Sequence, residues 1–92
     1  MIIEMISKKV KIQNTEGLHA RPATQFVKIA SKYKSDVFVS KNGREVNGKS
    51  IMGVMMLAAA KDSELILRVD GIDEQEAMTA LIELINKKFY EE

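Results

Sequence analysis

The dipeptide Asn42-Gly43, set between two short alternating runs, constrains this chain more than any other feature. Both central residues of a type I′ turn need positive φ, which asparagine and glycine accept at little steric cost. Ahead of the turn, Val37 and Val39 alternate with Phe38 and Ser40, and behind it runs Arg44-Glu45-Val46. The stretch therefore predicts a β-hairpin whose return strand is short and charged, as suits the edge of a sheet. Any fold for the chain has to be built on that antiparallel pair.

Further strands follow from the same two-residue period. Val10 and Ile12 alternate with Lys9, Lys11 and Gln13, and Leu65, Leu67 and Val69 alternate with Glu64, Ile66 and Arg68. Between the strands the period changes to that of a helix. Ala23, Phe26, Val27 and Ala30 predict an amphipathic helix from Ala20 to about Lys32, with Gln25, Lys28 and Lys32 outward. Ala77, Ala80, Leu81, Leu84, Ile85 and Lys88 mark one face of a last helix. Asp73 and Glu76 have capping-box spacing at its start, Lys87 and Lys88 complement the dipole at its end, and residues 89–92 are expected to fray.

The middle helix is less ordinary. Ser50 precedes Ile51-Met52-Gly53-Val54-Met55-Met56-Leu57-Ala58-Ala59-Ala60, and Lys61-Asp62-Ser63 is expected to end it. Serine before an apolar run is an N-cap signature. A helix of two to three turns that is apolar all round has too little domain around it to be buried on every side. Part of Ile51, Met52, Met55 and Met56 is thus expected at the surface, where methionine suits an adaptable docking patch. Together the elements run βαββαβα, a two-layer α+β sandwich around an antiparallel sheet with one covered and one wetted face.

Composition removes several functions. The chain has 92 residues, a net charge of +1 and five aromatics, so one domain over residues 1–92 is expected and nucleic acid is excluded as a partner. With no cysteine and a single histidine, neither a disulfide framework nor a metal ligand set is available. The apolar residues 1–6 are cut by Glu4 and followed by Ser7-Lys8-Lys9, too short for a signal core or a membrane span. A cytoplasmic location without membrane insertion is the expectation, as is the absence of any cofactor.

The chemistry concentrates in Gly17-Leu18-His19-Ala20-Arg21-Pro22-Ala23, which holds the only histidine and the only proline. Proline is tolerated in a helix's first turn, so His19 is placed at or within a turn of a helix N-terminus. Such an end offers free backbone donors and partial positive charge to an anion. A neutral imidazole is a nucleophile, and a guanidinium fork matches phosphate oxygens. The combination suggests a histidine that takes up a phosphoryl group. It lacks the acid–base partner that a turnover enzyme needs.

That heptapeptide, with Val46-Asn47-Gly48-Lys49-Ser50-Ile51-Met52-Gly53-Val54-Met55, resembles HPr, the histidine-containing phosphocarrier family of the bacterial phosphoenolpyruvate-dependent sugar phosphotransferase system. Both motifs, their separation and the element order match over the whole chain. The resemblance implies an open-faced β-sandwich, a four-stranded antiparallel sheet covered on one face by three helices. It implies a stoichiometric carrier, not an enzyme, that accepts phosphate from enzyme I on His19 and passes it to IIA domains of sugar permeases. Arg21 matches the neighbouring cation. Ala20, Thr24, Val27, Ile51, Met52 and Met55 match the docking patch. Ser50 matches a serine phosphorylated by an ATP-dependent kinase, with a kinase/phosphorylase and a catabolite-repression transcription regulator as further partners. The alternative it implies is a mainly regulatory corepressor phosphorylated on Ser50. Gly48 departs from the bulkier residues frequent there, which would loosen the loop before Ser50.

Overall fold

The computed structural model describes residues 5–91; residues 1–4, the bulk of the apolar N-terminal stretch, and Glu92 lie outside the described residues. The elements follow the expected order: β1 (Ile6–Lys11), α1 (Ala20–Ser31), β2 (Asp36–Lys41), β3 (Arg44–Asn47), α2 (Ile51–Met56), β4 (Glu64–Asp70) and α3 (Glu74–Asn86). The four strands form one antiparallel sheet in the order β1-β4-β2-β3. Asn42 (φ 53°) and Gly43 (φ 84°) take the paired positive values of the predicted turn, and β3 is an edge strand.

Register places the branched apolar residues in rows on one face. Val10 lies opposite Leu65, Val37 opposite Val69, and Val39 between Leu67 and Val46. Onto this face pack Pro22, Ala23, Phe26 and Ala30 of α1 and Ala77, Met78, Leu81, Leu84 and Ile85 of α3. Lys8, opposite Leu67 on the outer strand β1, puts an exposed charge on the rim of that row, a device that discourages edge-to-edge pairing. The other face stays open. There Arg68 lies 4.2 Å from the centre of the Phe38 ring and grips both carboxylate oxygens of Glu45, at 2.8 and 3.1 Å.

Three expectations from sequence are corrected. The apolar run does not stay helical to Lys61: α2 ends at Met56 with Leu57 as its C-cap, and Ala58 turns left-handed at φ 50°. Partners distant in sequence take the carbonyls that a longer helix would use. Lys41 Nζ donates to Leu57 O and Ala58 O (3.3 and 3.1 Å), and the Leu18 amide donates to Ala59 O (2.8 Å). Asp73 and Glu76 form no capping box. The Asp73 carboxylate accepts from the Lys34 amide (2.8 Å), the Ser35 amide (2.9 Å) and the Ser35 hydroxyl (2.5 Å), and Glu74 accepts the Gly71 amide instead. Gly48 does not loosen its loop either. It is buried, donates to Val37 O at 2.7 Å, and sits so close to Val37 that a Cβ would overlap its side chain.

The largest departure lies after α3. Lys88 does not continue the helical face, and residues 89–91 do not fray. Lys88, Phe89 and Tyr90 take φ of 55°, 57° and 59°, closed by bonds from Tyr90 N to Lys87 O and from Glu91 N to Lys88 O. Left-handed backbone costs about 1–2 kcal/mol per residue with a side chain. The offset is Phe89, which the turn drives fully into the core, where burial of such a ring contributes about 3 kcal/mol.

Two outcomes follow. Phe89→Ala lowers the unfolding free energy by about 3–5 kcal/mol in a urea titration, whereas a frayed end would leave it unchanged. The three bonds from Ser35 and Lys34, the Ser35 hydroxyl foremost, hold the Asp73 carboxyl down from its ordinary 3.8 to about 2. Its stabilisation is therefore full above pH 3.8 and lost as pH falls through about 2. Asp73→Ala melts below the parent at pH 7, and thermal melts show that gap closing across this interval.

Candidate functional site

The loop ahead of α1 is pinned before it reaches His19. Ile12 donates to Ser63 O (2.9 Å) and accepts from the Asp62 amide (2.7 Å), which ties the end of β1 to the chain entering β4. Gly17, at φ 70°, lies flat against Ala59, where a Cβ would strike the Ala59 carbonyl. Leu18 is buried, and its amide bonds Ala59 O. One residue later the chain emerges. His19 is the N-cap of α1 in extended conformation, its carbonyl receiving the Ala23 amide at 2.9 Å and its ring taking no part in capping. The side chain is 42% exposed. The Ala20 and Arg21 amides of the first turn have no preceding turn to bond, and Pro22 has no N–H to leave unpaired.

The sequence-predicted residues fall around this point. Arg21 is exposed and makes no hydrogen bond or ion pair among the described residues, so its guanidinium is available to an anion at the helix end. Ala20 is exposed, while Thr24 and Val27 are half-buried along α1, which packs against α2. On α2, Ile51 (42%), Met52 (72%), Met55 (40%) and Met56 (55%) are exposed, and only Val54 is buried. Of these residues Met55 alone joins His19 in a shallow depression of about 280 Å³, lined also by Glu16, Leu18, Ala58, Ala59 and Ala60. Sequence reasoning missed Glu16 altogether, and missed the three alanines because it continued α2 through them.

Ser50 caps α2 as expected, its Oγ accepting from the Gly53 amide at 3.0 Å. Gly53 is the residue that fits there: a Cβ on it would crowd Ser50 Oγ and Asn47 O at 3.3 and 3.4 Å. Lys49 beside it donates to Tyr33 O at 2.8 Å, just past the end of α1.

One neighbour of the imidazole had no signal in the sequence. His19 Nε2 lies 3.2 Å from Glu91 Oε2, and Glu91 Oε1 accepts from Asn14 Nδ2 at 3.1 Å. Asn14 is completely buried; the same Nδ2 also donates to Gly17 O (2.8 Å), and its Oδ1 has no partner. The left-handed turn after α3 delivers Glu91 to this place. Among the described residues no cluster of metal-ligating side chains exists, and no helix is long and apolar enough to cross a membrane.

Comparison with known proteins agrees with this architecture. The family model described as "PTS HPr component phosphorylation site" matches residues 6–87. The phosphocarrier protein HPr of Neisseria meningitidis serogroup A is 54% identical over 87 residues, 95% of this chain and 98% of that protein. The HPr-like protein Crh of Halalkalibacterium halodurans is 48% identical over 84 residues, 91% of this chain and all of that protein. A crystal structure of HPr from Thermoanaerobacter tengcongensis superimposes with a TM-score of 0.92 at 46% identity, covering 95% of this chain and 98% of that one. The open-faced sandwich is thus shared along nearly the whole chain, which belongs to the HPr family of phosphocarrier proteins of the sugar phosphotransferase system.

Proposed function

We propose that this protein is a single-domain phosphoryl carrier that takes phosphate from phosphorylated enzyme I on His19 and delivers it to IIA domains of sugar permeases in the cytoplasm. The observation that carries this reading is the exposed ring of His19 at the N-cap of α1, in one depression with Met55 of the apolar α2 surface. Phosphoryl transfer asks the protein for position and charge stabilisation. Here the amides of Ala20 and Arg21, the pole of the helix dipole and the free Arg21 guanidinium supply it in moderation. A carrier that held its phosphate in a closed, fully satisfied pocket would not release it.

The ring orientation favours Nδ1 as the acceptor. A carboxylate offers lone pairs only, so Nε2, which faces Glu91, keeps its hydrogen and Nδ1 keeps the lone pair. Ala20, Thr24, Val27, Ile51, Met52 and Met55 form the docking surface for enzyme I and the IIA domains, which excludes water from the transferring group. The protein is consumed and regenerated stoichiometrically and turns over no small molecule itself.

Ser50 is the regulatory position in the same reading. Its hydroxyl already sits where phosphate would meet the free amides of α2, so a phosphoserine kinase product keeps the helix while placing about two negative charges beside Ile51 and Met52. Inhibition then works through electrostatics at the docking surface. A role as a Ser50-phosphorylated partner of a transcription regulator is compatible with this; the 43% identity to Crh of Bacillus subtilis, a catabolite repression protein, favours a link to catabolite repression.

The direct test is incubation with labelled phosphoenolpyruvate and the cognate enzyme I. Acid-labile label is expected on the parent and none on His19→Ala; label appearing only on Ser50, and only with ATP and a kinase, would make the protein a regulator. Ser50→Asp is expected to slow transfer from enzyme I with α2 intact by circular dichroism and amide exchange. Unchanged transfer together with a melted α2 would sink the electrostatic account.

A further inference from the structure

We infer that Glu91 and Asn14 form a positioning pair for His19, in which the buried amide of Asn14 holds the Glu91 carboxylate against Nε2 throughout the phosphoryl cycle. The inference rests on His19 being the phosphoryl acceptor and says how its ring is held in register for that work.

Three observations converge on it. First, the two Glu91 oxygens are divided between two tasks: Oε1 takes the Asn14 Nδ2 hydrogen at 3.1 Å, and Oε2 lies 3.2 Å from His19 Nε2. Secondly, Asn14 is fully buried yet leaves Oδ1 without a partner, while Nδ2 is used twice, on Gly17 O and on Glu91. A buried carbonyl oxygen left unpaired is costly, so the side chain is oriented for its donor end, which braces the loop and the carboxylate together. Thirdly, the backbone accepts three successive left-handed residues to bring Glu91 here, with Phe89 as the anchor. Strain held by buried neighbours is a recurrent feature of sites that must stay in one geometry. The Glu91 side chain is only 15% exposed, against 42% for His19, so the carboxylate is the sheltered member of the contact.

The chemistry follows from where the proton stays. In the resting ring Nε2 carries hydrogen and Nδ1 the lone pair. On acceptance, that lone pair forms the Nδ1–P bond while the bond from phosphorus to the donor breaks, its electron pair leaving with the donor. No proton has moved, so the ring is now a phosphorylated imidazolium with hydrogen still on Nε2, and the carboxylate facing Nε2 balances the new positive charge. On donation the acceptor's nucleophile bonds to phosphorus, the Nδ1–P electron pair returns to Nδ1, and the neutral ring re-forms in its original tautomer. Keeping the Nε2 hydrogen preserves the ring as a good leaving group. Asn14 contributes by stopping the carboxylate from swinging to Arg21 or into solvent.

The pair separates from a purely structural role by a spectroscopic readout. Protein labelled with nitrogen-15 on its single histidine, observed where the ring is neutral, is expected to hold the Nε2–H tautomer more completely than a free histidine, which already favours it. Glu91→Ala relaxes the tautomer ratio to that of a free histidine and slows onward transfer to a IIA domain in rapid quench by about tenfold, the scale of one lost charge-assisted contact. Glu91→Gln, which keeps an acceptor oxygen at the same reach, restores the tautomer. Asn14→Ala weakens it while Glu91 remains. An unaltered tautomer in Glu91→Ala, or a transfer rate within about twofold of the parent, overturns the inference. A parent that takes no phosphate from enzyme I defeats the carrier reading instead, and the tautomer measurement then still decides whether Glu91 and Asn14 hold the ring.

Discussion

The bond from the Leu18 amide to the Ala59 carbonyl is the point from which the arrangement around His19 is set. It joins the loop before α1 to the segment after α2, two parts of the chain about forty residues apart. Gly17 makes it possible by lying against Ala59 without a side chain, and Leu18 fixes it by sinking into the core. With Leu18 held inside, the next residue has to emerge at the start of α1. The exposure of His19 is thus a consequence of the burial of its neighbour.

The same bond explains why α2 is short. A helix continuing through Ala58, Ala59 and Ala60 would keep the Ala59 carbonyl along its own axis and would carry these alanines away from the loop. Instead Ala58 turns left-handed, and Lys41 collects the carbonyls of Leu57 and Ala58. The alanines then line the depression beside His19. Intrinsic helix propensity is highest for alanine, yet three in a row leave the helix here because tertiary partners outweigh a few tenths of a kcal/mol per residue.

What could be read in the chain beforehand divides along the same physical line. Asn42-Gly43, the alternating strands, the Ser50 cap and the proline that starts α1 act through neighbours within four residues, so their consequences are written locally. The exposed Ile51, Met52 and Met55 were legible because a helix apolar all round has to show one side. Asp73 was misread because its acceptor oxygens found Lys34 and Ser35 on another element, not its own helix. Phe89 and Glu91 were illegible for a related reason. An aromatic residue followed by acidic ones after a lysine pair has the composition of a frayed end, and only the room beside α3 and the amide of Asn14 convert it into an anchored turn.

That division bears on what a carrier of this design needs. The elements fixed by local rules build the sheet and the starts of α1 and α2. Those fixed by distant partners, Leu18 on Ala59 and Glu91 between Asn14 and His19, adjust the angle and charge at one ring. A scaffold of the first kind tolerates many sequences. The second kind is easily lost, since a single side chain removes it, and it is also cheap to vary without disturbing the core. Tuning of how tightly the phosphoryl group is held is therefore expected to reside in the long-range contacts, with α1, α2 and the sheet left as a common platform.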